Sequence, residues 1–221
     1  MNILAIIPAR GGSKRLPNKN IRTFRGKPLI THTIEQAKES KYLSRIIVST
    51  DDSQIASIAR QYNTEVLIRP PYLSQGEDGS MIRTIKHVIE HLDKYEGYKP
   101  DTVVILQPTS PLRTTIDIDN AIKLLLDTGA ESVDSRCNDK QNGAVYVFRR
   151  YILMEHDRGF IGTNHRVYEM PEERSIDIDT EEDFIRAEGT NVDSRMLHEL
   201  DRLKNGKGDD KKRKGKRGKS R

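Results

Sequence analysis

Basic residues and glycines are concentrated between positions 10 and 20, directly after an apolar run at the start of the chain. Four cationic side chains surround two glycines there: Arg10, Lys14, Arg15 and Lys19 around Gly11 and Gly12. Glycine allows backbone N–H groups to approach an anion closely, and Ser13 adds a hydroxyl donor. The guanidinium of Arg10 suits two phosphate oxygens at once. We therefore expect a phosphate-binding loop, with a solvated basic turn as the structural alternative.

Two aspartates in the segment "SIDIDTEEDF" are the second group suited to chemistry. In an extended segment Asp177 and Asp179 lie on the same side, where two carboxylates can share a hard cation such as Mg²⁺. The structural alternative is a helix start, because Thr180 and Asp183 have the spacing of a capping box. Both interpretations are compatible, since capping leaves Asp177 and Asp179 free. A phosphate loop elsewhere in the chain favours the metal, because Mg²⁺ commonly bridges carboxylates and a triphosphate.

Short apolar strands alternate with amphipathic helices over the first 129 residues. The predicted strands are "NILAIIPA", "SRIIVSTDD", "TEVLIRP" and "DTVVILQPTSP". Each precedes a predicted helix: about Leu29 to Lys41, "SQIASIARQY", "MIRTIKHVIEHLDKY" and "DIDNAIKLLLDTG". This alternation predicts an α/β fold, a mostly parallel sheet with helices on both faces. Further strands are expected at "ESVDSRC" and "NGAVYVFRR", and further helices after Thr180 and in "GTNVDSRMLHELDRL".

The polar loops of the chain follow the predicted strands. They are "PARGGSKRLPNKN", "STDD", "IRPPYLSQGEDGS" and "LQPTSPLR". Because parallel strands present their carboxyl ends at one edge of the sheet, these loops are expected to line a single site. The spacing of the first loop is neither that of a Walker A loop nor GxGxxG, so neither of those nucleotide-binding families is indicated.

The net charge of +5 comes from the end of the chain. From Lys204 onward ten Lys or Arg residues stand against two Asp residues, which leaves residues 1–203 at −3. We expect 204–221 to be a disordered basic tail, either solubilising or weakly binding to polyanions. A single cysteine excludes a disulfide framework and fits a reducing compartment, so a cytoplasmic protein without a membrane partner is expected.

Five segments, in order, closely resemble the acylneuraminate cytidylyltransferases, which include the CMP-sialic acid synthetases and their relatives for legionaminic and pseudaminic acids. They are "IIPARGGSKRLPNKNI", "IIVSTDD", "LQPTSPLR", "NGAVYVFRR" and "SIDIDTEEDF". The resemblance extends from Met1 to about Glu188. It implies a Rossmann-like nucleotidyltransferase fold, with residues 1–203 as the catalytic domain. It also implies transfer of CMP from CTP to the anomeric hydroxyl of a nonulosonic acid, with release of pyrophosphate.

The resemblance also implies roles for individual residues. Nucleotide contacts are expected from Arg10, Gly11, Gly12, Ser13, Lys19, Asn20, Arg69 and Ser80. Sugar contacts are expected from Gln107, Thr109, Ser110 and Tyr146. Asp177 and Asp179 match the Mg²⁺ carboxylates of the family. The catalytic residues that the resemblance implies for this chain are Arg10, Lys19 and Asp179.

One departure from the family concerns the stretch before "NGA", where only "RCNDKQ" follows the fifth main strand. Family members carry a longer stretch there, with sugar-binding residues and an arm used in dimerisation. The shortening leaves three alternatives: a different acceptor such as 3-deoxy-manno-octulosonate, a nucleotide-binding homologue with impaired catalysis, or a changed homodimer.

Overall fold

The structure is a computed structural model that describes residues 1–13, 15–74, 81–155 and 162–191. Met1–Thr190 form one compact unit, and a second unit begins at Asn191. The predicted basic tail at 204–221, and most of the helix predicted in "GTNVDSRMLHELDRL", lie outside the described residues. Every helix within the described ranges is too short or too polar to cross a lipid bilayer.

Within the described ranges nine strands form, in chain order: β1 (Ile3–Pro8), β2 (Thr23–Phe24), β3 (Lys27–Pro28), β4 (Arg45–Thr50), β5 (Glu65–Ile68), β6 (Thr102–Ile105), β7 (Ser132–Cys137), β8 (Lys140–Arg149) and β9 (His165–Glu169). Seven build one sheet in the order β5-β4-β1-β6-β8-β7-β9. All neighbouring strands are parallel except at β8, which is antiparallel to both β6 and β7. The predicted mostly parallel sheet is confirmed.

The described helices are α1 (Leu29–Lys38), α2 (Ser53–Gln61), α3 (Met81–Glu96), α4 (Thr115–Thr128), α5 (Arg150–Glu155) and α6 (Glu181–Gly189). Side chains alternate across β1, so that Ile3, Ala5 and Ile7 enter one core and Leu4 and Ile6 the other. The first core is completed by α1, α2 and α4, and the second by α3 and α5. Helices therefore cover both faces of the sheet, as the sequence predicts.

The β2–β3 hairpin, which was not predicted, attaches α6 to the first loop of the chain. The ring of Phe24 meets Phe184 of α6 edge-on, with 5.5 Å between centroids. Arg22 lies over the same Phe184 ring and binds both carboxylate oxygens of Glu181. α6 begins at a capping box formed by Thr180 and Asp183, as predicted. These contacts bring the segment before α6 beside the loop after β1.

A two-residue turn joins β7 to β8 where the family's longer stretch would lie. Asn138 and Asp139 both have positive φ, 51° and 61°, as a type I′ hairpin turn requires. Cys137 and Lys140 face each other across the turn. The shortened segment is therefore a closed hairpin. Because it ends at the carboxyl end of β7, it reaches the same edge of the sheet as the predicted site loops.

Candidate active site

A cavity of about 270 Å³ lies at the carboxyl ends of the parallel strands. Its lining includes three cationic residues, Arg10, Lys19 and Arg69, and we name it the cationic cavity. Ser13, Asn20, Gln107 and Thr109 also line it. Loops that follow three different strands thus meet in one place, as the parallel topology predicts.

The glycine loop is fixed by the two aspartates that follow β4. The N–H of Gly11 donates to Asp51 Oδ1 at 3.2 Å. A Cβ on Gly11 would lie only 2.6 Å from Asp52 Oδ2, so no larger residue fits there without displacing Asp52. Asp52 in turn caps α2 through the N–H groups of Gln54 and Ile55. Gly12, by contrast, is exposed and has open space around its Cα.

Lys19 is buried and connects the first loop to the segment before α6. Its Nζ donates to the carbonyl of Ile178 at 2.6 Å and to Asp179 Oδ1 at 2.9 Å. The other oxygen of Asp179 accepts from Arg15 Nη2 at 2.7 Å. As the sequence predicts, the cap of α6 uses Thr180 and Asp183 and leaves the Asp179 carboxylate out of the cap; two cations of the N-terminal segment bind that carboxylate instead.

Arg69 is 5% exposed and forms the back of the cationic cavity. It donates to the hydroxyls of Ser74 and Thr84, and its Nη2 lies 3.6 Å from Asp51 Oδ1. Burial lowers the pKa of Arg69, the carboxylate of Asp51 opposes that shift, and the charge of Arg10 adds to it. The positive charges of Arg69 and Arg10 therefore repel each other at the cavity, and an anion bound between them would reduce that repulsion.

Arg10 differs from the other two cations in its exposure and in its partners. Its side chain is exposed, and within the described ranges its guanidinium has no ion-pair partner. Its carbonyl accepts from Nδ2 of the buried Asn20 at 3.0 Å, which fixes the backbone of the loop. Asn20 also lines the cationic cavity, and among the described residues nothing donates to its buried Oδ1.

Asp177 lies in the wall of a second and larger cavity of about 590 Å³. We name this the hairpin cavity, because Cys137, Lys140 and Gln141 of the β7–β8 hairpin line it. Burial raises the pKa of Asp177, a hydrogen bond from Thr109 opposes the shift, and the charge of Asp179 adds to it. No described group donates to the buried Asp177 Oδ1. Asp177 thus has an unsatisfied oxygen in the wall of the hairpin cavity and is hydrogen-bonded to Thr109, which lines the cationic cavity.

The segment "LQPTSPLR" is braced from behind by Arg113, a role that the sequence interpretation missed. This fully buried arginine donates to the carbonyls of Ala144 and Gln107 and to side chains of α1. Burial lowers its pKa to about 9. The carbonyl of Thr109 accepts from the N–H of Ile178 at 2.8 Å, so this segment also holds the strand-like stretch that carries Asp177.

The four residues predicted to face the sugar lie in different surroundings. Gln107 and Thr109 line the cationic cavity, beside the predicted nucleotide residues. Ser110 is fully buried and donates to the Asn142 carbonyl at 3.5 Å. Tyr146 is 7% exposed, and its pKa is raised by burial and by the charges of Asp134 and Asp177. Of the predicted nucleotide residues, Ser80 lies outside the described residues.

Asn142 and Gly143, in the "NGA" motif, help to position Asp177. This role was not predicted from the sequence. The Asn142 side chain accepts from the Ser135 hydroxyl at 2.6 Å and donates to Ser175 Oγ at 2.9 Å. Gly143 has φ of +72°, and a Cβ there would lie 3.0 Å from Gln107 Oε1. The asparagine therefore holds the segment before Asp177, while the glycine leaves space for its neighbours. The "NG" pair is a signal for such a backbone position.

The sequence model of the cytidylyltransferase family matches residues 4–159. A CMP-N,N'-diacetyllegionaminic acid synthase from Legionella pneumophila is 34% identical over an alignment that covers 85% of this chain and 95% of that protein. An N-acylneuraminate cytidylyltransferase from Escherichia coli is 32% identical, with coverage of 82% of this chain and 50% of that protein. A pseudaminic acid cytidylyltransferase from Campylobacter jejuni is 40% identical over 51% of this chain and 48% of that protein.

Two solved structures share the fold. A CMP:2-keto-3-deoxy-manno-octonic acid synthetase complexed with CTP has a TM-score of 0.66 and 18% identity, over 90% of this chain and all of that one. A cytidylyltransferase from Leptospira borgpetersenii has a TM-score of 0.64 and 20% identity, over 94% of this chain and 96% of that one. At such identities the likeness concerns the fold. The sequence matches go further: this chain belongs to the cytidylyltransferase family.

Proposed function

We propose that the chain transfers CMP from CTP to the anomeric hydroxyl of a nonulosonic acid and releases pyrophosphate. The observation that carries this proposal is the convergence of Arg10, Lys19 and Arg69 on one cavity beside the paired aspartates. Three cations around about 270 Å³ suit a polyphosphate better than any neutral ligand. The acceptor class is supported by the legionaminic acid synthase from Legionella pneumophila, which aligns over nearly its full length.

The reaction forms a bond between the acceptor oxygen and the α-phosphorus and breaks the bond to the β-phosphate. The negative charge that develops is spread over phosphate oxygens, so catalysis depends on charge neutralisation and alignment. Arg10, which lacks an ion-pair partner among the described residues, is proposed to bind the triphosphate directly. Arg69 is held by Ser74 and Thr84 and supplies a fixed positive charge behind it.

The carboxylates of Asp177 and Asp179 are proposed to hold Mg²⁺ together with the triphosphate. The unsatisfied, buried Oδ1 of Asp177 fits a cation, and the charge of Asp179 acts on the same group. No group of three or more metal-ligating side chains exists in the described part of the chain. Mg²⁺ usually takes one or two carboxylates from a protein and completes its shell with phosphate oxygens and water, so it needs no more than these two aspartates. When bound, the ion would neutralise charge on the phosphates.

The same residues separate the two substrates. Asp179 is bound by Arg15 and by Lys19, which lines the cationic cavity, whereas Asp177 belongs to the wall of the hairpin cavity. An acceptor hydroxyl beside Asp177 would face a phosphate beside Lys19. We expect the reaction to run in the cytoplasm, the reducing compartment that the single cysteine fits.

Pyrophosphate release tests the proposal. The full chain is incubated with CTP, Mg²⁺ and one of four acids: N,N'-diacetyllegionaminic, N-acetylneuraminic, pseudaminic or 2-keto-3-deoxy-manno-octonic acid. We expect release with at least one nonulosonic acid and its loss after EDTA. Release only with the octonic acid would overturn the acceptor class. CTP binding by calorimetry without turnover on any acid would instead indicate a nucleotide-binding protein with impaired catalysis.

A further inference from the structure

A buried ion pair anchors the segment that precedes Asp177. Asp117, in the first turn of α4, is fully buried, and Arg174 is 7% exposed. The guanidinium of Arg174 binds both oxygens of Asp117: Nη2 donates to Oδ1 at 2.9 Å and Nε to Oδ2 at 3.0 Å. Within the described ranges neither residue lines the cationic or the hairpin cavity, so the pair lies behind the site rather than in it.

The carboxylate of Asp117 collects donors from three parts of the chain. Besides Arg174, it accepts from the hydroxyl of Tyr168 at 3.0 Å and from the N–H and the hydroxyl of Thr114 at 2.9 and 2.8 Å. Thr114 caps α4, Tyr168 lies in β9, and Arg174 ends a single 3₁₀ turn, Glu172–Arg174. Asp117 therefore joins α4, β9 and this turn at one point.

The segment from Arg174 to Ile178 is fixed at both ends. At one end Arg174 binds Asp117, and at the other the N–H of Ile178 donates to the carbonyl of Thr109 at 2.8 Å. Both partners belong to the stretch that follows β6, with Thr109 before α4 and Asp117 within it. Asp177 lies between these two contacts, so its position relative to the site depends on both of them.

Stability alone does not account for the Arg174–Asp117 pair. A buried ion pair contributes little more to stability than apolar side chains of the same volume, because desolvation of the two charges offsets their attraction. A contact between a guanidinium and both oxygens of a carboxylate, however, fixes the distance and the orientation of the two groups. The property that distinguishes this pair from an apolar contact is therefore its defined geometry.

We propose that Arg174 and Asp117 are positioning residues that hold the carboxylate of Asp177 at the proposed Mg²⁺ site. This inference rests on the proposed function and adds to it the residues that set the position of one metal ligand. Residues that support a metal ligand without touching the metal commonly change metal affinity by about 10- to 100-fold when they are substituted. Loosening the anchor at Arg174 should therefore weaken metal binding and leave the cationic cavity unchanged.

Arg174→Lys tests this assignment in the full chain, because lysine keeps the charge but does not bind both oxygens of Asp117 in the same way. The Mg²⁺ concentration that gives half-maximal turnover should rise by about tenfold. The KM for CTP at saturating Mg²⁺ should stay unchanged. Arg45→Lys is the matched control, since Arg45 also binds both oxygens of a carboxylate, that of Glu65, but at the amino end of β4, away from the site.

Tyr168→Phe is a milder variant that keeps the inference testable if Arg174→Lys does not fold. It removes one hydrogen bond to Asp117 and leaves the ion pair in place. The half-saturating Mg²⁺ concentration should then rise by about threefold. Urea unfolding of each variant gives the folded fraction, so that turnover is compared per folded molecule.

A second measurement does not depend on turnover. Mn²⁺ bound by the nucleotide-free chain is measured from the decrease in the EPR signal of the free ion. Its Kd should rise by about tenfold in Arg174→Lys and should not change in Arg45→Lys. If Arg174→Lys and Tyr168→Phe lower stability but leave the Mg²⁺ dependence and the Mn²⁺ affinity unchanged, the pair is purely structural and this inference alone is overturned. Turnover that persists in EDTA, with no Mn²⁺ bound by the original chain, would overturn the metal assignment of the proposed function, and this inference with it.

Discussion

Nζ of Lys19 lies 2.9 Å from Oδ1 of Asp179, although 160 positions separate the two residues in the chain. The contact joins the loop after β1 to the segment before α6, and the Lys19 side chain is only 10% exposed. Since both residues are proposed to act on the triphosphate, this pair couples the two ends of the site. The variants below separate its catalytic from its structural contribution.

Asp179→Asn should reduce turnover by about 100-fold, because the charge opposite Lys19 and near the proposed cation is lost. The fold should persist with a loss of about 1 kcal/mol, since Lys19 keeps its bond to the Ile178 carbonyl. Glu181→Gln is the control, because it also removes a carboxylate paired with an arginine of the N-terminal segment, Arg22. Equal turnover in the two variants would contradict the assignment of Asp179.

Arg10→Ala should lower kcat/KM for CTP by about 100-fold, because a cation that faces the developing charge is removed. Its stability to urea should barely change, since the side chain is exposed and without an ion-pair partner among the described residues. Arg60→Ala, an exposed arginine on α2, serves for comparison. If Arg10→Ala turns over CTP at the normal rate, the first loop is only a basic turn.

Gly11→Ala should destabilise the chain by about 1–2 kcal/mol, because the new Cβ displaces Asp52 from the start of α2. Gly12→Ala should cost little stability, since a Cβ there meets nothing within 4 Å. Urea unfolding of both variants measures the difference. Similar midpoints would show that the loop relaxes around the added methyl group.

Gly143→Ala should cut turnover as well as stability, since its Cβ would lie 3.0 Å from Gln107 Oε1 and 3.8 Å from Asp177 Oδ2. Gly129→Ala provides the comparison, because that glycine also has positive φ, but a Cβ there meets no other atom within 4 Å. Both changes should cost about 1 kcal/mol through backbone strain. Only Gly143→Ala should alter the kinetics. If both variants change turnover to the same extent, Gly143 is needed only for its backbone conformation.

The stability of the chain should depend on the protonation of Asp177. Because burial raises its pKa, the folded chain binds this proton more tightly than the unfolded chain does. The stabilisation that this proton provides is therefore complete below the pKa of Asp177 in the unfolded chain. It is lost as pH rises through the higher pKa of Asp177 in the folded chain. Asp177→Asn should remove that loss. Urea unfolding across the acidic range, with EDTA present, should show that the free energies of unfolding of the two proteins diverge as pH rises. If the two free energies change with pH in parallel, the burial of this carboxyl is contradicted.

Most of the sheet follows from the sequence, because its buried strands are continuous apolar runs between helical patterns. Strand β9 was not predicted, since most of its residues are polar and partly exposed and give no apolar signal. The β2–β3 hairpin is likewise too short for a pattern of alternation. The reversal of β8 depends on a two-residue turn rather than on hydrophobicity.

The edge of the sheet at which the site lies was also predictable, from the polar loops that end four strands. The pairing of Lys19 with Asp179 was not, because it depends on how the β2–β3 hairpin packs against α6. The requirement for glycine at position 11 has a similar origin. A Cβ there would collide with Asp52, which follows a different strand. Spacing along the chain identifies such residues but does not reveal their partners.

The two-residue turn at Asn138–Asp139 also determines how the protein tolerates insertions. One added residue there would replace the type I′ turn by a three-residue loop, which keeps the pairing of β7 with β8 only with a left-handed residue and a bulge. A long insertion would cost little stability, because closing a loop costs only about 0.6 kcal/mol for each doubling of its length. An entire module can thus be grafted at this tip, or removed from it, while the cations near β1 remain in place.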